Sequence, residues 1–440
     1  MAGKWWSSNP ARLALNGVGL LILLGLAIYL EVPRERNLPA GRCELFERGD
    51  VGESATAFAR IAASGYRNVR SRRVTLVAFR EGVDPARVLN NVCEQRWYSA
   101  RLIPQLATAG AALIVFDKFF GPDSCPPGDQ GTSDLSSALT SSSVPVVVGV
   151  GSHAPESDPR NACLIANKSL EFRKSRDINS SAVDRPIVYQ GLIRLNSDPK
   201  KVPLNWYSYE NDQAFKDGRQ PSDANLGTLA WVAATLVDKN LKNESGLVRL
   251  RATGQHPFTS FISPDTLSRA DALSILCSSP AKGELEKRYQ MTCVDHPLSG
   301  AEIRGRVIVI GDDVLGRDRH MLFGDDVPGV YLQANYIESL LDGRYLRPLG
   351  AGWDFAIFAS WVAFLYLAFW MQPEVALVLS LLVGYLVRYL IVQLVLLEGL
   401  YPQIWVLDLG TLALGLKYIE ARGHLIVDAI KERAGAHGGD

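Results

Sequence analysis

The sequence predicts an α/β extracytoplasmic domain with a mostly parallel sheet, together with four transmembrane α-helices. Three observations support this prediction. Four apolar segments interrupt the chain, and all six cysteines lie between the first and the second of them. Within that polar stretch, short apolar runs alternate with amphipathic segments, which is typical of βα units.

The first apolar segment, residues 13–30, reads LALNGVGLLILLGLAIYL and contains Asn16 as its only strongly polar residue. About 20 such residues cross the hydrocarbon core of a bilayer. Lys4 and Arg12 precede the segment. A cleaved signal peptide is the alternative, but its apolar region is usually about 7–15 residues and a small-residue cleavage site follows it. We therefore expect an uncleaved anchor.

Three further spans are predicted at residues 353–371, 375–397 and 404–418, joined by short turns that contain Pro or Gly. Basic residues flank the first span on its N-terminal side and the last span on its C-terminal side. The positive-inside rule then places residues 1–12 and the tail 419–440 in the cytoplasm. Residues 31–352 are expected on the outer face of a bacterial inner membrane, in the periplasm or outside the cell.

Two charged residues fall inside predicted spans. Arg388 lies in GYLVRYLIVQ and Asp408 lies in WVLDLGTL. An isolated charge in hydrocarbon costs at least about 2.5 kcal/mol on insertion scales. We expect the two to pair between antiparallel helices, either as structural support or as a polar hinge that relays a signal.

The cysteines indicate an oxidising compartment, because an even set is confined to one segment. The candidates for disulfides are Cys43, Cys93, Cys125, Cys163, Cys277 and Cys293. The pairing is open, but Cys277 with Cys293 is the first choice because they bracket one polar loop. Six free, buried thiols are the alternative. No metal site is expected, because no Cys-x-x-Cys pair or histidine cluster accompanies the cysteines.

The polar stretch contains four clear apolar strands, at residues 74–79, 111–116, 144–150 and 306–310. Two more strands are predicted at residues 187–195 and 206–209. Helices are predicted at residues 54–63, 100–109, 135–141, 226–236 and 328–341. We expect residues 240–300 to be irregular.

Polar residues at the ends of two strands suggest a weak ligand site. Asp117 and Lys118 follow one strand, and Asp312 and Asp313 follow another. Open α/β sheets bind ligands beyond the carboxyl ends of their strands. The same crevice is expected to include Arg101, Asp134, Asp318 and Asn335. Such a set suits a polar or cationic small molecule, or a hard cation bound through oxygen atoms. The alternative is that these residues cap helices and turns.

Several blocks in order resemble the second subtype of the CHASE-type extracellular sensory domain. They are Trp97 and Arg101 before AGAALIVFDKFF, Asp134-Leu135 with Ala138-Leu139, VPVVVGV, GRVIVIG before Asp318, and PGVYLQANYIESLLDGRYL. The resemblance implies one span before the domain and three after it. It also implies a cytoplasmic effector domain, yet only about twenty residues follow the last span. Two blocks depart from the family, Arg80-Glu81 and the RHMLFGDD segment, so no family ligand is carried over.

The expected function is therefore sensing, with a cue bound outside and the signal relayed to a separate cytoplasmic effector protein. A structural scaffold of an envelope complex is the alternative. An enzyme is not expected and no catalytic residues are assigned, because nucleophile-elbow, P-loop and His-Glu-x-x-His motifs are missing from the sequence. No cofactor is expected. The zero net charge argues against nucleic acid. The remaining partners are the lipid bilayer and, as the resemblance allows, a second copy in a homodimer.

Overall fold

The computed structural model describes residues 60–65, 69–120, 125–126, 129–150, 152–153, 165–166, 188–193, 228–243, 258–259, 261–294, 302–322, 325–349, 356–357, 360, 363–364 and 373–401. These residues fall into two compact units. Residues 62–346 contribute to the first unit, and residues from 347 onward contribute to the second.

The strands are named in chain order as follows: β1 (Val74–Arg80), β2 (Leu113–Phe119), β3 (Val146–Val150), β4 (Ser152–His153), β5 (Ile165–Ala166), β6 (Val188–Leu192), β7 (Phe258–Thr259), β8 (Ser268–Asp271), β9 (Val307–Asp313), β10 (Arg319–Leu322), β11 (Asp325–Pro328), β12 (Tyr345–Pro348) and β13 (Leu400–Tyr401). The α-helices are α1 (Ala86–Asn90), α2 (Val92–Thr108), α3 (Gln130–Ser141), α4 (Leu229–Val237), α5 (Ala272–Cys277), α6 (Lys282–Tyr289), α7 (Gly329–Leu341) and α8 (Pro373–Glu398).

The first unit is built on a six-stranded sheet with the order β6-β3-β2-β9-β1-β8. Every neighbouring pair in this sheet is parallel. The predicted parallel sheet is thus confirmed. Apolar side chains of β1, β2 and β9 are buried on both faces, which explains why these strands read as continuous apolar runs.

Strand β9 lies between β1 and β2, although it comes last of the six in the chain. Val307 therefore pairs with Val74 on one side and Leu113 on the other. This arrangement brings the carboxyl ends of β1, β2 and β9 together. We call that side of the sheet the carboxyl edge and the opposite side the amino edge.

Helices cover both faces of the sheet. On one face α2, α3, α5 and α6 share a core with β1, β2 and β9, centred on Trp97, Phe79 and Phe116. On the other face α7 packs on β1 and β9, and α4 packs on α7, β2 and β3. The layering is that of a doubly wound α/β domain.

Several predicted boundaries differ from the structure because of capping. Helix α2 begins at Val92 rather than 100, because the Asn91 side chain accepts from the amides of Cys93 and Glu94. Helix α4 begins at Leu229 rather than 226, because Thr228 caps it. The strand at 187–195 is confirmed as β6. The strand predicted at 206–209, and most of the helix predicted at 54–63, lie outside the described residues.

The prediction that residues 240–300 are irregular was wrong. Strand β8 and helices α5 and α6 lie there. Strand β8 reads Ser-Arg-Ala-Asp and forms an edge of the sheet, so it lacks an apolar run. In α6 the sole buried residue is Leu285, which leaves almost no amphipathic signal.

Two disulfides each join a helix on one face of the sheet to a loop. Cys277 is bonded to Cys293, as predicted, and Cys93 is bonded to Cys125. Cys43 and Cys163 lie outside the described residues.

One helix among the described residues, α8, is long and apolar enough to cross a membrane. Its residues Leu381–Glu398 are mostly apolar and mostly exposed. Residues 356–357, 360 and 363–364 of the neighbouring predicted span are helical. The predicted spans 13–30 and 404–418, and therefore Asp408 and its pairing with Arg388, lie outside the described residues.

A buried carboxylate joins α7 to the start of β1. Glu338, which is fully buried, accepts hydrogen bonds from the backbone amides of Arg72 (2.7 Å), Arg73 (3.2 Å) and Val74 (2.6 Å). It also accepts from the Ser71 hydroxyl at 2.9 Å. Four donors thus converge on one buried side chain, and this contact holds the chain as it enters the sheet.

We expect the Glu338→Gln variant to lose about 3 kcal/mol of the free energy of unfolding, because an amide nitrogen would face backbone donors that then lack acceptors. Denaturant unfolding of the detergent-solubilised full chain, followed by near-ultraviolet circular dichroism, measures this. The matched control is Asp265→Asn at an exposed carboxylate, expected to change stability by less than about 0.5 kcal/mol. Equal stability of the two variants would contradict the assigned role.

Candidate functional site

The carboxyl edge carries a buried ion pair. The Lys118 side chain is 6% exposed, and its Nζ lies 2.5 Å from Asp312 Oδ1. The ammonium also donates to Gln95 Oε1 at 3.2 Å and lies 4.6 Å from the centre of the Phe79 ring. Burial lowers the pKa of Lys118, and the Asp312 carboxylate opposes this shift. The pair therefore joins the ends of β2 and β9 beneath the surface.

A bulge in β2 positions this lysine. The register with β3 shifts between Phe116 and Phe119, so Asp117 and Lys118 stand as extra residues at the end of the strand. Bulges redirect side chains and recur next to functional sites. The sequence gives no sign of this bulge beyond the switch from apolar to charged residues.

Asp117 lies where α7 begins. Its side chain is partly exposed, and the described residues supply it with no hydrogen bond. Burial raises the pKa of Asp117 well above its usual range; the nearby Asp318 and Asp312 carboxylates add to the rise, and Lys118 opposes it. Glycine at position 311 allows the end of β9 to lie close to the start of α7, because a Cβ at that position would lie 2.5 Å from a Val330 methyl carbon.

Asp318 stands at the N-terminal end of the same helix. Its backbone is left-handed (φ 42°), and its carbonyl accepts the Gly329 amide at 2.7 Å. Its carboxylate occupies the space that a Cβ of Gly329 would need, and it lies 3.1 Å from His320 Nε2. A negative charge is favourable at this end of a helix.

Asp313, which also lies at the carboxyl edge, forms an ion pair with Arg319. The guanidinium lies 3.0 Å from Asp313 Oδ1 and 3.0 Å from Asp326 Oδ2, which fixes the β10–β11 hairpin against the end of β9. Asp117, Lys118, Asp312, Asp313 and Asp318 together form the carboxyl-edge cluster. The structure brings these five of the eight predicted site residues together.

The other three predicted site residues have structural contacts elsewhere. Arg101 pairs with Asp134, pairs with Glu284 at 2.9 Å, and stacks 4.5 Å from the centre of the Trp97 ring. These contacts join α2 to α3 and α6 in the helical layer. Asn335 is buried within α7, where its Oδ1 accepts from the Ile262 amide at 2.9 Å. Helix packing thus removes all three from the expected crevice, and ligand binding by the remaining cluster stays a prediction.

Sequence reasoning missed a buried carboxyl at the same edge. Asp84 follows β1, accepts the Arg80 amide at 2.7 Å, and accepts the Tyr98 hydroxyl at 2.8 Å. Burial raises the pKa of Asp84 to about 6, although these two hydrogen bonds oppose the rise. The only local sign was an Asp before a Pro, which is common in turns.

Carboxylates outnumber basic groups along this edge. The acidic residues there are Glu81, Asp84, Asp117, Asp271, Asp312, Asp313, Asp318, Asp325 and Asp326, against Arg80, Lys118, Arg317 and Arg319. An excess of negative charge attracts cationic ligands over several ångströms.

A compact set of metal-ligating atoms occurs at a different place. Among the described residues, Cys93, Cys125 and Asp129 bring three such atoms within 4.8 Å of one another. The disulfide occupies both sulfurs, and Asp129 caps α3 through the Thr132 amide at 2.9 Å. This group is therefore explained by structural roles.

The parallel sheet and the disulfides define a disulfide-stapled α/β domain of a kind suited to the outside of a cell. The chain also carries the apolar helix α8, in its second unit. The chain belongs to the CHASE2 domain family, whose model matches residues 64–372 of the 440. CHASE2 domains are extracellular sensory domains, so the resemblance seen in the sequence is confirmed. No curated protein and no solved structure matches the chain.

The buried Asp84 carboxyl should make stability depend on pH. Its folded-state pKa, about 6, lies above the ordinary value of 3.8, so the folded state binds more protons between these limits. The contribution of Asp84 to the free energy of unfolding is complete below pH 3.8 and is lost as pH rises through 6. We expect the wild type to lose about 3 kcal/mol more than Asp84→Asn across this window. Denaturant unfolding at several pH values measures it, with Asp265→Asn as control. Parallel pH profiles for wild type and Asp84→Asn would contradict the assignment.

Proposed function

We propose that this protein is a membrane-anchored signal-coupling protein. Its outer domain binds a polar or cationic cue at the carboxyl-edge cluster and relays the change to a separate cytoplasmic partner. Membership of an extracellular sensory domain family supports the general role. The cluster supplies the more specific part of the proposal.

The observation that carries the proposal is the position of Asp117. Its carboxylate has no hydrogen-bond donor among the described residues, and it lies near Asp312 and Asp318. Bringing carboxylates together in a partly dehydrated place is costly unless a proton or a cation compensates. A cationic cue would relieve this repulsion and would favour the arrangement in which it is bound.

Helix α7 offers a route away from the cluster. It begins at Gly329, beside Asp318, and its last turns carry Glu338, which holds the residues leading into β1. Thirteen residues of α-helix span about 20 Å. A shift at one end is therefore transmitted to the residues through which the chain enters and leaves the domain.

The test uses the detergent-solubilised full chain with calcium, magnesium and spermidine as separate probes. Binding to the folded state raises the thermal midpoint by an amount set by probe concentration and affinity. We expect at least one probe to raise it by about 4 °C or more at saturation. The rise should vanish in Asp117→Asn and persist in Asp265→Asn.

A cue that is relayed should also act at a distance. We expect the effective probe to change backbone amide hydrogen exchange at residues 71–74 and 338–344, which lie away from the cluster. No shift with any probe, or an equal shift in Asp117→Asn, overturns cationic cue binding at this cluster. Stable co-purification of an envelope protein without any probe effect would instead favour the structural scaffold.

A further inference from the structure

A basic rim lies at the amino edge of the sheet, opposite the carboxyl-edge cluster. We define it as Arg70, Arg72, Arg73, Arg304 and Arg306. These residues stand just before β1 and β9, which are neighbouring parallel strands. The Val307 amide donates to the Arg73 carbonyl at 2.9 Å, so the two short arginine runs lie side by side.

Most of these guanidinium groups are exposed to solvent and could bind a ligand. Arg70, Arg72 and Arg304 are exposed, and within the described part of the chain their side chains have no ion-pair or hydrogen-bond partner. Arg73 is 61% exposed and lies 3.7 Å from Asp342. Arg306 is half-buried and donates to the Ser71 carbonyl at 3.4 Å.

The acidic groups near the rim do not balance it. Glu338 is buried and its oxygens are occupied by backbone donors and Ser71. Asp342 is shared between Arg73 and Arg344. Asp265 and Glu302 are the other carboxylates at this edge in the described ranges. The rim is thus positive in a chain whose formal net charge is zero.

The same edge holds the start of β1 and the end of α7. Residues 69–73 lead into β1, and α7 ends at Leu341 before a turn in which the Arg344 amide donates to the Ser339 carbonyl at 2.8 Å. In the predicted topology the chain runs on from these two points to the spans at 13–30 and 353–371. This connectivity is the reason to consider a lipid surface as the partner of the rim.

We propose that the basic rim binds the phosphate groups of anionic lipids on the outer surface of the membrane that anchors the protein. Guanidinium groups match phosphate oxygens with two parallel hydrogen bonds. Clustered arginines next to a membrane anchor are attracted to an anionic lipid surface, and the attraction falls off within a Debye length. Rim binding would set the orientation of the domain on the bilayer and leave the acidic carboxyl edge facing the medium.

This proposal depends on membrane anchoring but not on cue binding, because the two surfaces lie at opposite edges of the sheet. Loss of rim binding would leave the probe-induced thermal shift intact. Loss of the thermal shift would leave rim binding intact. A negative result for lipid binding at the rim would therefore not contradict cue binding at the carboxyl-edge cluster, and the reverse also holds.

The test places the full chain in nanodiscs of phosphatidylcholine, with or without phosphatidylglycerol. We expect amide hydrogen exchange at residues 69–74 and 302–306 to slow about threefold or more when the anionic lipid is present. About 1 M salt should abolish the effect, because the Debye length shortens to about 3 Å. Exchange at residues 312–319, on the carboxyl edge, should not differ between the two lipid compositions.

The variant Arg70→Gln/Arg72→Gln/Arg304→Gln should lose the protection. The matched control, Arg80→Gln/Arg87→Gln/Lys287→Gln, removes equal charge elsewhere and should keep it. Titrating phosphatidylglycerol into wild-type nanodiscs gives a readout that needs no variant. Equal exchange in both lipids, or protection that survives high salt, overturns the proposal. Equal protection from free inorganic phosphate with phosphatidylcholine alone would also overturn it, by showing a soluble-phosphate site.

Discussion

The fold depends on one buried carboxylate. Glu338 accepts hydrogen bonds from three successive backbone amides at the point where the chain enters β1. These hydrogen bonds join residues that are separated by 264 to 266 positions in the sequence. The interaction therefore holds the two ends of the domain together as well as capping a strand. An apolar residue there would leave buried donors without acceptors, which is among the costlier defects in a protein interior.

The sheet topology places β9 between β1 and β2. Strand β9 precedes α7 in the chain, with the β10–β11 hairpin between them, and its Val307 pairs with Val74 of β1. This crossing places Asp312 next to Lys118. The buried ion pair at the carboxyl edge and the carboxylate at the amino edge are therefore two results of one topology, connected through α7.

The sequence alone predicts the features that depend on local residue patterns. The strands at 74–79, 111–116, 144–150 and 306–310 were identified because burial on both faces requires continuous apolar runs. The order of the strands was out of reach, because it depends on contacts between segments far apart in the chain. Asn335 was misplaced for the same reason, since its burial depends on packing against residue 262. Asp84 was missed because its partner, Tyr98, lies on a helix across the loop.

The charge of the domain is arranged along the strand direction. Carboxylates collect where strands end, and arginines collect where β1 and β9 begin. Parallel strands make such separation simple, because all starts share one edge and all ends share the other. A sheet with antiparallel strands would mix the two sets. The start of β1 and the end of α7 lie at the basic edge, and the start of α7 lies at the acidic edge. The proposed anionic surface and the proposed cation would therefore bind at opposite edges of the sheet, with α7 running between them.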